Sequence, residues 1–209
     1  MTSVKRDILI TAGATRNPID AMRFISANST GRTGAWLADA LCIHHHVTVL
    51  GSPEALSHCD STANSAEYGS TADLMNKMHA WVDAHPEGLV IHAAAVGDYA
   101  VAPSDGKIAS GQSSLTLTLK PTPKIVDAIR GWSAHVDIVS FKAAAPNTDM
   151  PQLEAIAAAQ GERTDSVAVF ANVIGQIESS VLIWTPTETT TFTRRQDALQ
   201  ALVDLVSRV

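Results

Sequence analysis

The chain is poor in cysteine. Cys42 and Cys59 are the only two in 209 residues, too few for a disulfide framework and at no metal-ligand spacing, as suits a reducing compartment. A chain of this length buries roughly 70% of the surface it exposes when unfolded, so covalent staples are not required. Excess positive charge is also missing. Fifteen Lys and Arg against 21 Asp and Glu give a formal charge of −6, which favours solubility and opposes tracking of a nucleic-acid backbone. Long apolar runs are absent: the stretch after Asp7 is too brief for a signal peptide and nothing later approaches a membrane span. The expectation is a cytoplasmic protein with no nucleic-acid or membrane partner. What is present, 45% hydrophobic residues with 12 Gly and 9 Pro, is ordinary globular composition and excludes disorder and fibrous folds.

Periodicity then gives the order of elements. Residues 7–11 (DILIT) read as a buried strand closed by Ala12-Gly13-Ala14-Thr15, and residues 32–43 as an amphipathic helix. Residues 47–50 give a second strand. Residues 71–83 give a helix capped by Ser70 or Thr71, and the nearly continuous apolar run 89–95 reads as a strand covered on both faces. Strict alternation over residues 115–119 (LTLTL) predicts a half-buried strand at a sheet edge or in an added hairpin. Helix 124–132, strand 136–141, helix 152–160 and strand 167–171 continue the alternation. A hairpin over 181–184 and 189–193 and a helix over 195–208 close it. The predicted fold is a single α/β domain over 1–209, doubly wound and Rossmann-like, with a mostly parallel sheet and a small added β-hairpin. Its ligand cleft should lie at the carboxyl ends of the strands.

The loops after the strands are therefore where chemistry is sought. Gly13-Ala14-Thr15-Arg16-Asn17-Pro18 leads to no helix until Arg32, so the Gly-rich fingerprint of dinucleotide binding is not met, and no Tyr-x-x-x-Lys pair follows. Asn28-Ser29-Thr30-Gly31-Arg32-Thr33-Gly34 opens directly into the first helix. Its N–H groups, hydroxyls, guanidinium and positive helix end could seat a phosphate, or the segment could be only a helix start capped by Ser29 or Thr30. Asp98 follows the apolar strand and could accept from a ribose or base. Lys107, in a Gly- and Ser-bounded loop, is either a clamp or part of a solvated turn. His44, His45 and His46 are consecutive in a helix-to-strand turn, splay apart, and read as solvent-facing rather than as metal ligands. Trp36, Trp81 and Trp132 fall on helical faces and read as core or interface.

In order and wording these segments resemble the phosphopantothenoylcysteine synthetase (phosphopantothenate–cysteine ligase) family. The resemblance rests on Thr11-Ala12-Gly13-Ala14-Thr15, Ile19-Asp20, Arg23, Ile25-Ser26 and Ser29-Thr30-Gly31-Arg32-Thr33-Gly34. It continues through Ala94-Ala95-Val96-Gly97-Asp98-Tyr99 and Lys107-Ile108, and then Leu117-Thr118-Leu119-Lys120-Pro121-Thr122-Pro123-Lys124-Ile125 and Val139-Ser140-Phe141-Lys142. It covers about residues 7–175, and its wording is nearer the monofunctional bacterial type, so the expectation is a ligase without a decarboxylase domain before Asp7. The resemblance implies amide formation between 4′-phosphopantothenate and cysteine, driven by CTP or ATP, CTP favoured, with Mg²⁺, through an acyl-nucleotide, in a homodimer. It places the nucleotide against Gly13, Thr15, Ser29, Thr30, Gly31, Arg32, Ala94, Asp98, Lys107, Lys120, Thr122, Pro123, Phe141, Lys142 and Arg163, with Lys107 also catalytic. Ala27 stands where the family has the Asn that holds the intermediate, which leaves Asn28 as substitute orienter. Ala159 replaces one of two expected basic residues, and Val173 replaces the Asp of an Ala-Asn-Asp strand end. A catalytically weak binding protein of the same fold is the competing reading, and Ala27 is its support.

Overall fold

A computed structural model of the chain describes residues 5–60 and 63–208. The reading of the extreme N-terminus therefore falls partly on residues 1–4, outside the described residues. In chain order come β1 (Asp7–Ala12), β2 (Arg16–Pro18), β3 (Phe24–Ser26), α1 (Arg32–Leu41), β4 (His46–Gly51), α2 (Pro53–Leu56), β5 (Asn64–Glu67), α3 (Thr71–Ala84) and β6 (Leu89–His92). After these come β7 (Tyr99–Ala100), β8 (Lys120–Pro121), α4 (Ile125–Trp132), β9 (Asp137–Ala144), α5 (Met150–Thr164), β10 (Ala168–Val173), β11 (Val181–Trp184), β12 (Thr189–Phe192) and α6 (Arg195–Val206). Eight strands form one sheet in the order β12-β11-β10-β9-β6-β1-β4-β5, with β2–β3 and β7–β8 as separate antiparallel pairs. The six strands from β10 to β5 run parallel, while β11 and β12 add an antiparallel edge.

The chain winds outward from β1 through β4 to β5, then returns to the other side of β1 as β6. The order thus reverses between β1 and β6, which is where a doubly wound sheet opens its ligand crevice. Strand alternation sends Ile8, Ile10, Ile91 and Phe170 to the face covered by α1 and α6, and Leu9, Val90 and Ile138 to the face under α3 and α4. Leu153 and Ala157 of α5 meet Val169, Ala171 and Leu182. Both faces are covered, which is why the parallel strands read as unbroken apolar runs. The tryptophans follow the same division: Trp36 packs beside the first cluster, Trp81 and Trp132 beside the second.

Three expectations need correction. Residues 115–119 form no strand, and each is exposed; only Lys120 and Pro121 pair, with Ala100 and Tyr99. The alternation is real, but among the described residues no neighbouring strand receives it. His45 is buried, with neither ring nitrogen partnered among the described residues, while His44 and His46 face solvent as expected. Burial, then the charges of His44, Arg6 and His46, push the His45 pKa down. At the start of α1, neither Ser29 nor Thr30 is the cap: Gly31 holds that position with φ +78° and no side-chain bond.

Candidate functional site

The site is assembled where β1 and β6 end. Gly13 has φ +89°, and a Cβ there would lie 2.1 Å from Ser52 Oγ; Gly31 closes from above, where a Cβ would lie 2.3 Å from that of Ala55. Both positions require glycine, by backbone conformation and by space. Their close approach seats residues 28–32 on the end of β1. Ala14, Arg16, Phe24, Ser26, Ala27, Asn28, Ser29, Thr30, Ser52 and Glu54 line the resulting cavity, of about 210 Å³. That is below the usual size of a whole ligand pocket, so it takes part of a nucleotide or substrate rather than all of it. Asn28, Ser29 and Thr30 are thus brought together, with Gly31 and Arg32 continuing into α1, and Ala27 shares the same wall.

A buried polar network fixes the floor. Ala95 N–H donates to Gly13 C=O at 2.8 Å and Thr15 N–H to Ala95 C=O at 3.2 Å. Thr15 Oγ1 accepts from Gly97 N–H at 2.9 Å and from Thr71 Oγ1 at 3.2 Å. Thr15 is wholly buried, so it sets the spacing of the two loops and leaves ligand contact to its neighbours. Tyr68 donates to Ala12 C=O at 2.9 Å, and its burial pushes the phenol pKa up, so it stays a neutral donor. Asn17 bridges the same region, accepting from Thr71 N–H at 2.9 Å.

A second group lies along the loop after β6 and the start of α4. Asp98 pairs with Lys124 at 2.5 Å, both side chains more than half exposed. Asp98 C=O accepts from Thr122 N–H at 2.9 Å, and Thr122 Oγ1 donates to Gly97 C=O at 2.6 Å. An exposed ion pair is worth up to about 1 kcal/mol, so a ligand can open it at small cost. Pro123 precedes the helix, and Lys120 is exposed in β8. Ala94 packs toward the α3 and α4 face, whereas Phe141 stacks on Phe170 at 4.8 Å on the opposite face. Ala94 and Phe141 therefore do not share a wall. Lys142 is half-buried on β9, and Arg163 is ion-paired with Asp127 across α5 and α4; neither lines the cavity by Asn28.

The exposed Lys107 sits in the irregular stretch between β7 and β8, beside the turn at 19–23. Ile108 is held there by Asp20 and Arg23.

Two residues escaped the sequence reading. His92, the last residue of β6, is buried, with Nδ1 2.8 Å from Thr11 Oγ1, which itself accepts from Ala94 N–H at 3.1 Å. Thr11 Oγ1 thus ties the His92 ring to the Ala94 backbone, the proton between Oγ1 and Nδ1 lying on one or the other according to the tautomer. Burial lowers the His92 pKa to about 4, so the ring is neutral. Arg195, at the start of α6, donates to Thr33 Oγ1 at 3.0 Å and lies over the Phe170 ring at 5.2 Å. It also reaches Asn172 Oδ1 at 3.5 Å, so the final helix puts a partly buried cation beside the start of α1. Neither residue stands in a motif. His92 reads as part of an apolar strand, and Arg195 lies in a segment distant in sequence.

A search against protein families matches residues 4–203 to the DNA/pantothenate metabolism flavoprotein C-terminal domain. The coenzyme A biosynthesis bifunctional protein CoaBC of Thermococcus kodakarensis is 33% identical over 183 residues, 84% of this chain and 44% of that protein. The chain thus spans less than half of that relative's length. Among solved structures, the DNA/pantothenate metabolism flavoprotein of Streptococcus pneumoniae superposes with TM-score 0.86 at 22% identity, over 97% of this chain and 99% of the other. A Cab2 mutant in complex with phosphopantothenate-cysteine gives TM-score 0.77 at 18% identity, over 97% and 86% of the two chains. At these identities the structural likeness establishes the fold.

Proposed function

Because the chain belongs to the DNA/pantothenate metabolism flavoprotein C-terminal domain family, we propose that it is a nucleotide-dependent ligase domain of coenzyme A biosynthesis. It joins 4′-phosphopantothenate to cysteine with CTP, or with ATP as the second choice. The observation that carries the reading is the seating of residues 28–32 on Gly13, which lines a cavity with an amide and two hydroxyls at the sheet's switch point.

In the first half-reaction the substrate carboxylate attacks the α-phosphate and pyrophosphate leaves. Positive charge is needed on the leaving oxygens, and Lys107, the N–H groups at the start of α1, and Arg32 supply it. In the second, the cysteine amine attacks the activated carbonyl while Asn28 holds the acyl group by its amide, and the acyl–phosphate bond breaks to release the nucleoside monophosphate as the amine loses a proton. Asp98 accepts from ribose or base, with Thr122 and Lys124 brought beside it from the start of α4. Among the described residues no group of three or more His, Cys, Asp or Glu could hold a metal ion. Mg²⁺, which the resemblance implies, would supply neutralising charge on the triphosphate when bound.

The weak-binder reading keeps one support, Ala27 on the cavity wall in place of the family Asn. Pyrophosphate release decides between them. The ligase releases it with CTP and phosphopantothenate and forms amide once cysteine is added. A chain that binds nucleotide but releases none under any combination is a binding protein. Among the described residues no helix is long and apolar enough to cross a membrane. We read the chain as a cytoplasmic homodimer, in which the exposed Leu115, Leu117 and Leu119 are covered by a second copy.

A further inference from the structure

We infer that Asp20 and Arg23 form a latch that fixes the Lys107 segment against the turn leading into β3, whose Phe24 and Ser26 line the cavity, so that Lys107 acts from a held backbone rather than a free loop. The inference rests on the clamp role given to Lys107 above, and it deepens that role by naming what positions the lysine.

Residues 109–119 are all exposed and carry no strand or helix, and the segment from 101 is little different. One short stretch is the exception. Ser104 N–H donates to Ile19 C=O at 2.9 Å, and Gly106 C=O accepts from Ala21 N–H at 3.0 Å. Ile108 is gripped on both sides: its N–H donates to Asp20 Oδ2 at 3.0 Å, and its C=O accepts from Arg23 Nη2 at 2.7 Å. Lys107 therefore lies between two anchored neighbours, its side chain the free part of a fixed peptide.

The latch is itself rigid. Asp20 Oδ1 accepts from the N–H groups of Met22 and Arg23, both at 2.8 Å, and Oδ2 pairs with Arg23 Nη2 at 2.7 Å. The Asp20 side chain is 0% exposed. A carboxylate so held is a fixed acceptor, and charge-assisted bonds of this type are the strong ones. The two oxygens divide the work: Oδ1 shapes the turn, and Oδ2 reaches the segment. In Asp20→Asn, an amide with its oxygen on the turn presents NH₂ to Ile108 N–H and to the guanidinium. The turn survives while the latch opens.

The test has two readouts. The Lys107–Ile108 bond is a trypsin site inside the latched stretch. In Asp20→Asn, cleavage there should be at least about tenfold faster than in the parent, with other Lys and Arg bonds as internal reference. Lys107→Ala, which removes the site, identifies the fragment. Nucleotide turnover should fall about ten- to a hundredfold in Asp20→Asn, the ratio expected for one charge-assisted bond. In the Lys107→Ala background the same substitution should cost nothing further, because a latch without its lysine has nothing to position. If Asp20→Asn unfolds the protein, Arg23→Met opens the other side of the Ile108 peptide and is read the same way. Unchanged cleavage overturns the latch whatever the activity. Equal losses with and without Lys107 make Asp20 a merely structural residue and overturn the positioning role. Full turnover in Lys107→Ala alongside fast cleavage of Asp20→Asn overturns instead the clamp role of Lys107.

Discussion

Ala27 and Asn28 share one cavity wall, and their order is the chain's most consequential departure from the family wording. Irregular backbone between β3 and α1 lets adjacent side chains reach one space, which a regular strand with its alternating faces forbids. Asn28→Ala should therefore stop amide formation and spare the first half-reaction, giving a pyrophosphate burst of about one equivalent and accumulated acyl-nucleotide. Losing one donor to a developing oxyanion costs about 2.7–4 kcal/mol, on the order of a hundred- to a thousandfold in rate. Ala27→Asn with Asn28→His, which returns the amide to the family position, should match or exceed the parent; amide formed only by this restored variant would mark the parent as a lapsed ligase. Asp98 makes a separate point. Its exposed pair with Lys124 adds little to folding, so Asp98→Asn should leave Tm nearly unchanged while weakening nucleotide binding about tenfold or more. Calorimetric titration checks this, and an equal Kd removes Asp98 from the nucleotide site.

At the scale of elements, legibility followed burial. Strands β1, β4, β6, β9 and β10 were readable because helices cover both their faces, so the apolar run is itself the signal. The short pair β2–β3 was not, since three-residue strands carry no period, and neither was β5, whose residues are all exposed. The site was legible where one contiguous motif builds it, as at residues 28–34. It was opaque where distant segments meet, as with Arg195 on Thr33, or where a polar side chain hides in an apolar strand, as with His92. Residues 115–119 failed for another reason: alternation states a preference, and a strand also needs a partner edge. Leu115, Leu117 and Leu119 remain 48%, 37% and 49% exposed, and a second copy would supply what the single chain lacks. Leu117→Asp should then shift the protein from dimer to monomer in sedimentation velocity. A parent that sediments as a monomer at micromolar concentration would count against the dimer.

Across the whole molecule, two imidazoles are buried at opposite strand ends, His45 just before the start of β4 and His92 at the carboxyl end of the central β6. Burial lowers the His92 pKa to about 4, and burial, with nearby positive charge behind it, lowers that of His45. An unfolded His titrates near 6.5, so as pH falls below that value the unfolded chain takes up a proton that the folded chain refuses. Stability is thus complete above about pH 6.5 and declines toward pH 4. For His92 alone the loss is about 1.4 kcal/mol per pH unit, on the order of 3 kcal/mol in all. Asp20 acts lower on the scale. The N–H of Met22 leads the bonds that hold its pKa below the usual 3.8, so its contribution persists above that value and is lost only in stronger acid. Acid should therefore weaken the fold in two stages, the histidines first. Urea unfolding at pH 7.5, 6, 5 and 4.5 should show the first stage as a falling midpoint. His92→Asn keeps a polar group near Thr11 without the titrating ring, so it should flatten the fall between pH 6.5 and 4.5. A variant whose midpoint drops as steeply as the parent's would show that the buried imidazole of His92 is not the source.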